Sequence, residues 1–129
     1  MRPDQVGEYL WKPWEAGATG PIAYDCWGLL RAVRLAHFGG GIPACVLGDA
    51  ARVLHAEKLR SGDWELVATP VHGDGVLMRE GSEPHVGIYL DIDGGGVLHA
   101  MRGCGVIFTH MRELRVMGFG RCQFYRIHA

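Results

Sequence analysis

At 129 residues the chain fits one domain, residues 1–129, with enough length to bury a true core. Hydrophobic content of 48% and charged content of 21% are ordinary for a globular protein, and a net charge of -1 gives no footprint for nucleic acid. No run approaches membrane-spanning length and Met1 to Gln5 lacks an apolar signal region, so the expectation is synthesis in the cytoplasm without membrane insertion.

In chain order, Asp4 to Trp11 carries Val6, Leu10 and Trp11 and predicts a short helix, ended by Lys12-Pro13. Trp14 to Pro21 reads as an irregular loop leading to Asp25. A helix is expected from Cys26 to about Phe38, stopped by Gly39-Gly40-Gly41. Another helix, Ala51 to Leu59, follows Asp49 and ends at Ser61-Gly62. Beyond Gly62 the period changes. Strands are predicted at Trp64–Val67, Gly75–Met78, Val86–Leu90, Val97–Met101 and Val106–Thr109. Asp93-Gly94-Gly95 is a strong hairpin signal between the third and fourth of these. His110 to Leu114 predicts a helical turn, and Gln123 to Ile127 a last strand closing the sheet. Helices followed by a run of strands define an α+β protein with an antiparallel sheet.

Asp25 is a good helix N-cap, which makes Cys26 the first helical residue. A thiol there feels the positive end of the helix dipole, which favours thiolate. Cys26, Leu29, Leu30, Val33 and His37 share one helical face, and Arg31 and Arg34 another. The arginines are read as solvated surface. The alternative for Cys26 is a small buried hydrophobe. The four cysteines show no C-x-x-C pairing and are expected as free thiols, with Cys45, Cys104 and Cys122 packing.

Of the seven histidines, His85 and His99 fall on the two strands of the predicted hairpin. His85, Gly87 and Tyr89 share a face, as do Val97, His99 and Met101. A turn near Gly94-Gly95 pairs position 85 roughly with 104 and 90 with 99, so the two rings meet only if the hairpin is wide or bulged. A thiol, a base and an orienting partner make a nucleophilic set. The same three side chains are also a zinc donor set, although they lack the close spacing of a structural site. His37, His55, His72, His110 and His128 show no partner pattern, and Trp27 and Trp64 read as core. Arg79 and Glu80, in a loop before His85, and Arg102, after His99, are candidates to line a cleft.

Four blocks, Tyr24-Asp25-Cys26-Trp27-Gly28-Leu29, Gly73-Asp74-Gly75-Val76-Leu77, His85-Val86-Gly87-Ile88-Tyr89 and Leu98-His99-Ala100, resemble the NlpC/P60 cysteine peptidase family. They stand in family order across about Trp14 to Tyr125. The tryptophan after the cysteine and the small size look most like the phage-tail branch. The resemblance implies a papain-like fold, with Cys26 as nucleophile, His85 as general base and His99 as the polar residue orienting His85. It places Trp14 where the family usually has a tyrosine near the oxyanion. Trp14 donates through its indole N–H but cannot accept or ionise. Trp14 and Asp25 are therefore the candidates for substrate or oxyanion contact, with the Cys26 backbone N–H as a further donor.

The resemblance further implies a peptidoglycan endopeptidase. It would cleave a stem-peptide amide, D-γ-glutamyl to diamino acid, through a thioester and without cofactor or metal. The expected partners are peptidoglycan stem peptides and other phage tail proteins, and the expected place is the virion tail acting at the host wall. The alternatives are a non-enzymatic tail assembly protein, an amidase or acyltransferase on the same Cys-His-His set, and a bacterial housekeeping or toxin hydrolase.

Overall fold

The structure is a computed structural model and describes residues 1–44, 49–80 and 83–128. Helix α1 covers Pro3–Val6, α2 Cys26–His37, α3 Asp49–Ser61 and α4 Met111–Leu114. The strands are β1 Trp64–Val67, β2 Gly75–Glu80, β3 Glu83–Leu90, β4 Gly96–Met101, β5 Gly105–His110 and β6 Arg121–Ile127. They form one antiparallel sheet in the order β1-β6-β2-β3-β4-β5. The predicted α+β class is the observed one. The first helix stops at Val6, well short of Trp11, because the chain turns at Gly7 and then bonds to β5: Trp11 N–H donates to Val106 O at 2.8 Å. The last strand does not close an edge but lies between β1 and β2.

The sheet is covered on both faces. On one, α2 packs Leu29, Leu30 and Val33 against Ile88, Leu90, Leu98, Ala100 and Val106. Full burial of each such aliphatic side chain contributes roughly 1.5–3 kcal/mol. On the other face, Val76, Met78 and Val97 meet Leu114 and Phe119, carried by α4 and the segment after it. Arg34 is a correction to the sequence reading: it is buried rather than solvated. Its guanidinium donates to Gly40 O at 2.9 Å, Gly73 O at 3.1 Å and Ile127 O at 3.1 Å. One side chain thus ties the end of α2 to the turn before β2 and to the end of β6. Trp64 is core as expected, and Trp27 packs beside it while donating to Pro43 O. Cys104 is exposed rather than packed, Cys122 is half-buried, and Cys45 lies outside the described residues.

Candidate active site

The start of α2 is built as the sequence predicts. Asp25 Oδ1 accepts from Gly28 N–H at 2.6 Å, and Oδ2 accepts from Gly17 N–H at 2.9 Å. The second bond draws the loop before the helix over its first turn, where Ala18 O lies so close to Gly28 that no Cβ fits there. Both Asp25 oxygens are therefore engaged, one capping α2 and the other holding the Gly17 loop, and Asp25 does not line the cleft. Cys26 does, half-buried at the helix tip.

A cleft of about 210 Å³ opens there, lined by Trp14, Cys26, Pro84, His85, Ala100, Met101, Arg102 and Phe119. It lies where β3 and β4 part. Their ladder runs only from Leu90↔Gly96 to Ile88↔Leu98, and the residues beyond it form the cleft wall. This register differs by three residues from the one expected, which paired 90 with 99. Continued past its last rung, it sets Gly87 opposite His99, and His85 next along on the same face. The missing side chain at 87 is what lets the rings meet. A Cβ there would come within 2.6 Å of Val97 Cγ1 and 3.0 Å of His99 Cβ. His85 Nε2 and His99 Nδ1 stand 2.8 Å apart in a hydrogen bond. A diagonal pair on neighbouring strands is within reach of long aromatic side chains, so no wide loop is needed.

The bond continues inward. His99 Nε2 lies 2.9 Å from Thr109 Oγ1, and the Thr109 hydroxyl donates to Met117 Sδ at 3.5 Å. His99 and Thr109 are buried. Phe119 stacks on His85, with centroids 5.3 Å apart and planes 14° apart, and meets His99 edge-on. Sequence reading missed Thr109, Met117 and Phe119. The only signal for Phe119 was an aromatic between two glycines, Gly118 and Gly120, after a helical turn. Thr109 carried none, because its partner is fixed by β4–β5 register alone.

Burial dominates the electrostatics. It lowers His85 to about 4 and, with help from the neighbouring ring, His99 to about 3, so both are neutral at pH 7. It also pushes the Cys26 thiol up, and the Asp25 carboxylate adds to that. The backbone N–H groups of Val86, Trp27 and Cys26 act the other way. The thiolate expected from the helix dipole is therefore not the resting state: the dipole acts in the expected direction, but burial outweighs it.

Trp14 lies on the cleft wall with the Arg102 guanidinium 4.7 Å from its ring centre. Among the described residues no carboxylate forms a salt bridge with Arg102. Arg79 belongs to β2 rather than a loop and is absent from the cleft wall, and the Glu80 side chain lies outside the described residues. No three described His, Cys, Asp or Glu side chains are grouped to hold a metal ion. His85 and His99 point ring nitrogens at each other instead.

These features define a papain-like α+β protein, with a cysteine opening a helix whose apolar face packs on a sheet that carries paired histidines. The chain belongs to the NlpC/P60 family, whose sequence model matches residues 11–117. Members of that family are usually cysteine peptidases of the cell wall. Among curated proteins, none matches the chain significantly. No described helix is long and apolar enough to cross a membrane.

Proposed function

We propose that the chain is a peptidoglycan endopeptidase that cleaves a stem-peptide amide through a thioester on Cys26. The observation that carries this reading is that Cys26 and His85 line one cleft while His85 Nε2 is held by His99, leaving Nδ1 as the ring nitrogen for the thiol proton. Because thiol and imidazole are both neutral at rest, His85 acts as a general base during attack rather than as half of a standing ion pair. The proton moves from Cys26 Sγ to His85 Nδ1 as sulfur adds to the carbonyl carbon. The oxyanion is held by the Cys26 backbone N–H and the Trp14 indole N–H. His85 then protonates the leaving amine, and water, deprotonated by the same ring, hydrolyses the thioester. Asp25 holds the helix start and stays off the substrate.

Arg102 supports a γ-glutamyl bond as the target. A D-glutamate linked through its γ-carboxyl keeps a free α-carboxylate, and Arg102 offers on the cleft wall a guanidinium that stacks on Trp14 and is in no salt bridge among the described residues. The phage-tail assignment rests on the resemblance of Asp25-Cys26-Trp27-Gly28-Leu29 to that branch, with tail proteins as partners and the host wall as the site of action.

The test is digestion of purified stem peptides by wild type and Cys26→Ala, read by mass spectrometry of the peptides and of the intact protein. Cleavage by wild type alone is the expected result, and the fragments identify the bond. No cleavage, with no acyl-enzyme on Cys26 in the mass of the intact protein, would overturn the enzymatic reading in favour of an assembly role. Transfer of the acyl group to an added amine instead of water would redirect it to an acyltransferase.

A further inference from the structure

We infer that Thr109 is a positioning residue: with Met117 it fixes which ring nitrogen of His99, and through it of His85, carries the proton. This deepens the proposed peptidase reading and rests on it for its catalytic consequence, but not for the proton arrangement itself.

The bonds run in one line, His85 Nε2 to His99 Nδ1 to His99 Nε2 to Thr109 Oγ1 to Met117 Sδ, at 2.8, 2.9 and 3.5 Å between partners. Each of the two links to a His99 ring nitrogen holds one proton, and a neutral imidazole has one N–H. Two arrangements satisfy that count. In the first, the Thr109 O–H donates to Met117, His99 Nε2–H donates to Thr109, and His85 Nε2–H donates to His99 Nδ1. His85 Nδ1 is then bare and can take the Cys26 proton. In the second, every proton reverses: the Thr109 O–H donates to His99 Nε2, and His99 Nδ1–H donates to His85 Nε2. His85 then carries its proton on Nδ1 and is no base for the thiol.

The first arrangement makes three hydrogen bonds along the line and the second makes two. Met117 decides the difference, since its thioether offers the Thr109 hydroxyl an acceptor other than His99 Nε2. Water does not compete at a threonine 3% exposed and a histidine 0% exposed. In the second arrangement the buried Thr109 oxygen also accepts no bond along the line, which costs part of its desolvation. Both partners are placed by the sheet. His99 and Thr109 sit two rungs apart on β4 and β5, a diagonal pair on the face covered by α4 and its trailing segment. When His85 accepts the thiol proton it becomes an imidazolium that keeps its Nε2–H bond to His99, and the proton returns from Nδ1 to the leaving amine.

The test is the tautomer of each ring, read by NMR on protein labelled with ¹⁵N-histidine at pH 7, alongside kcat and KM on stem peptides for Thr109→Val and Thr109→Ser. The expected wild-type result is Nε2–H on both His85 and His99. Thr109→Val should move the His99 proton to Nδ1 and lower kcat by up to about 10⁴-fold, the loss seen for a catalytic histidine held in the wrong tautomer, with KM within about twofold. Thr109→Ser, which keeps the hydroxyl, should restore both. His85 protonated on Nδ1 in wild type would overturn the inference, as would unchanged tautomers in Thr109→Val. Inactivity of wild type on every stem peptide would instead fault the peptidase reading, leaving the NMR result to judge the proton arrangement. If Thr109→Val does not fold, the wild-type tautomers and the Ser variant still decide it.

Discussion

The two neutral histidines make stability depend on pH in a defined window, and His99→Gln isolates half of the effect. His85 is lowered from 6.5 to about 4, and His99 from 6.5 to about 3. A folded-state pKa below the unfolded one means the unfolded chain binds more protons in between, so stability rises with pH there. The contribution is fully present above about pH 6.5 and is lost as pH falls toward 4 for His85 and toward 3 for His99. Each ring supplies a slope approaching 1.4 kcal/mol per pH unit, about 2.7 for the pair. His37 and His55, also lowered by burial, add slope of the same sign. The single substitution subtracts the His99 share while leaving theirs. Urea unfolding at half-unit steps from pH 6 to 4.5 measures the slope. The expected result is a wild-type slope steeper than that of His99→Gln by about 1.4 kcal/mol per pH unit. Parallel curves would refute the burial argument for His99, and with it the neutral resting state of the network.

Gly87→Ala should cost about 1–3 kcal/mol in chemical denaturation, because a Cβ there meets Leu98 O at 2.9 Å and Val97 Cγ1 at 2.6 Å. It should also reduce turnover about 10²-fold by spreading His85 from His99; full activity in the folded variant would show that the close approach is dispensable. Arg34→Leu should destabilise by about 2–5 kcal/mol, since three buried carbonyls lose their donor. Arg34→Lys should recover only part of that, because one ammonium does not reproduce the fork. A melting temperature within 1 °C of wild type for Arg34→Leu would count against that role. Arg102→Gln should raise KM about tenfold for stem peptides bearing a free α-carboxylate on D-glutamate, and leave KM unchanged when that group is amidated. Equal effects on both substrates would remove Arg102 from carboxylate recognition.

The elements that were legible in the sequence are those whose causes are local. Asp25 caps α2 because a carboxylate before a helical apolar stripe has few better uses, and the Asp93-Gly94-Gly95 turn follows from backbone sterics: Asp93 at φ 51 and both glycines at positive φ. Cys26, His85 and Trp14 reach one cleft as the motif positions implied. What escaped depends on register and on contacts distant in sequence. The hairpin was paired three residues out of step, because alternation fixes which face a side chain takes but not which residue it faces. Arg34 looked solvated on a helical wheel, since nothing local shows that carbonyls from Gly73 and Ile127 converge on it. Thr109 and Phe119 join the site through the sheet and through a segment folding back over it.

The same non-local packing explains why the resting chemistry departs from the local expectation. A helix tip in water favours a thiolate. Here that tip is roofed by the Ala18 loop and set beside a wall containing Phe119, so the charged forms of thiol and imidazole both lose hydration. Neutral partners can still react, provided that each charge meets a fixed dipole as it forms. The N–H groups of Val86, Trp27 and Cys26 already favour negative sulfur, and in the inferred proton arrangement His99 keeps a proton on His85 Nε2. Charge would then form at the moment of attack, against groups that need no reorganisation. On this view burial is not a defect that the site tolerates. It strengthens those dipoles by excluding water, and it makes the direction of the proton chain from Met117 to His85 a condition for turnover.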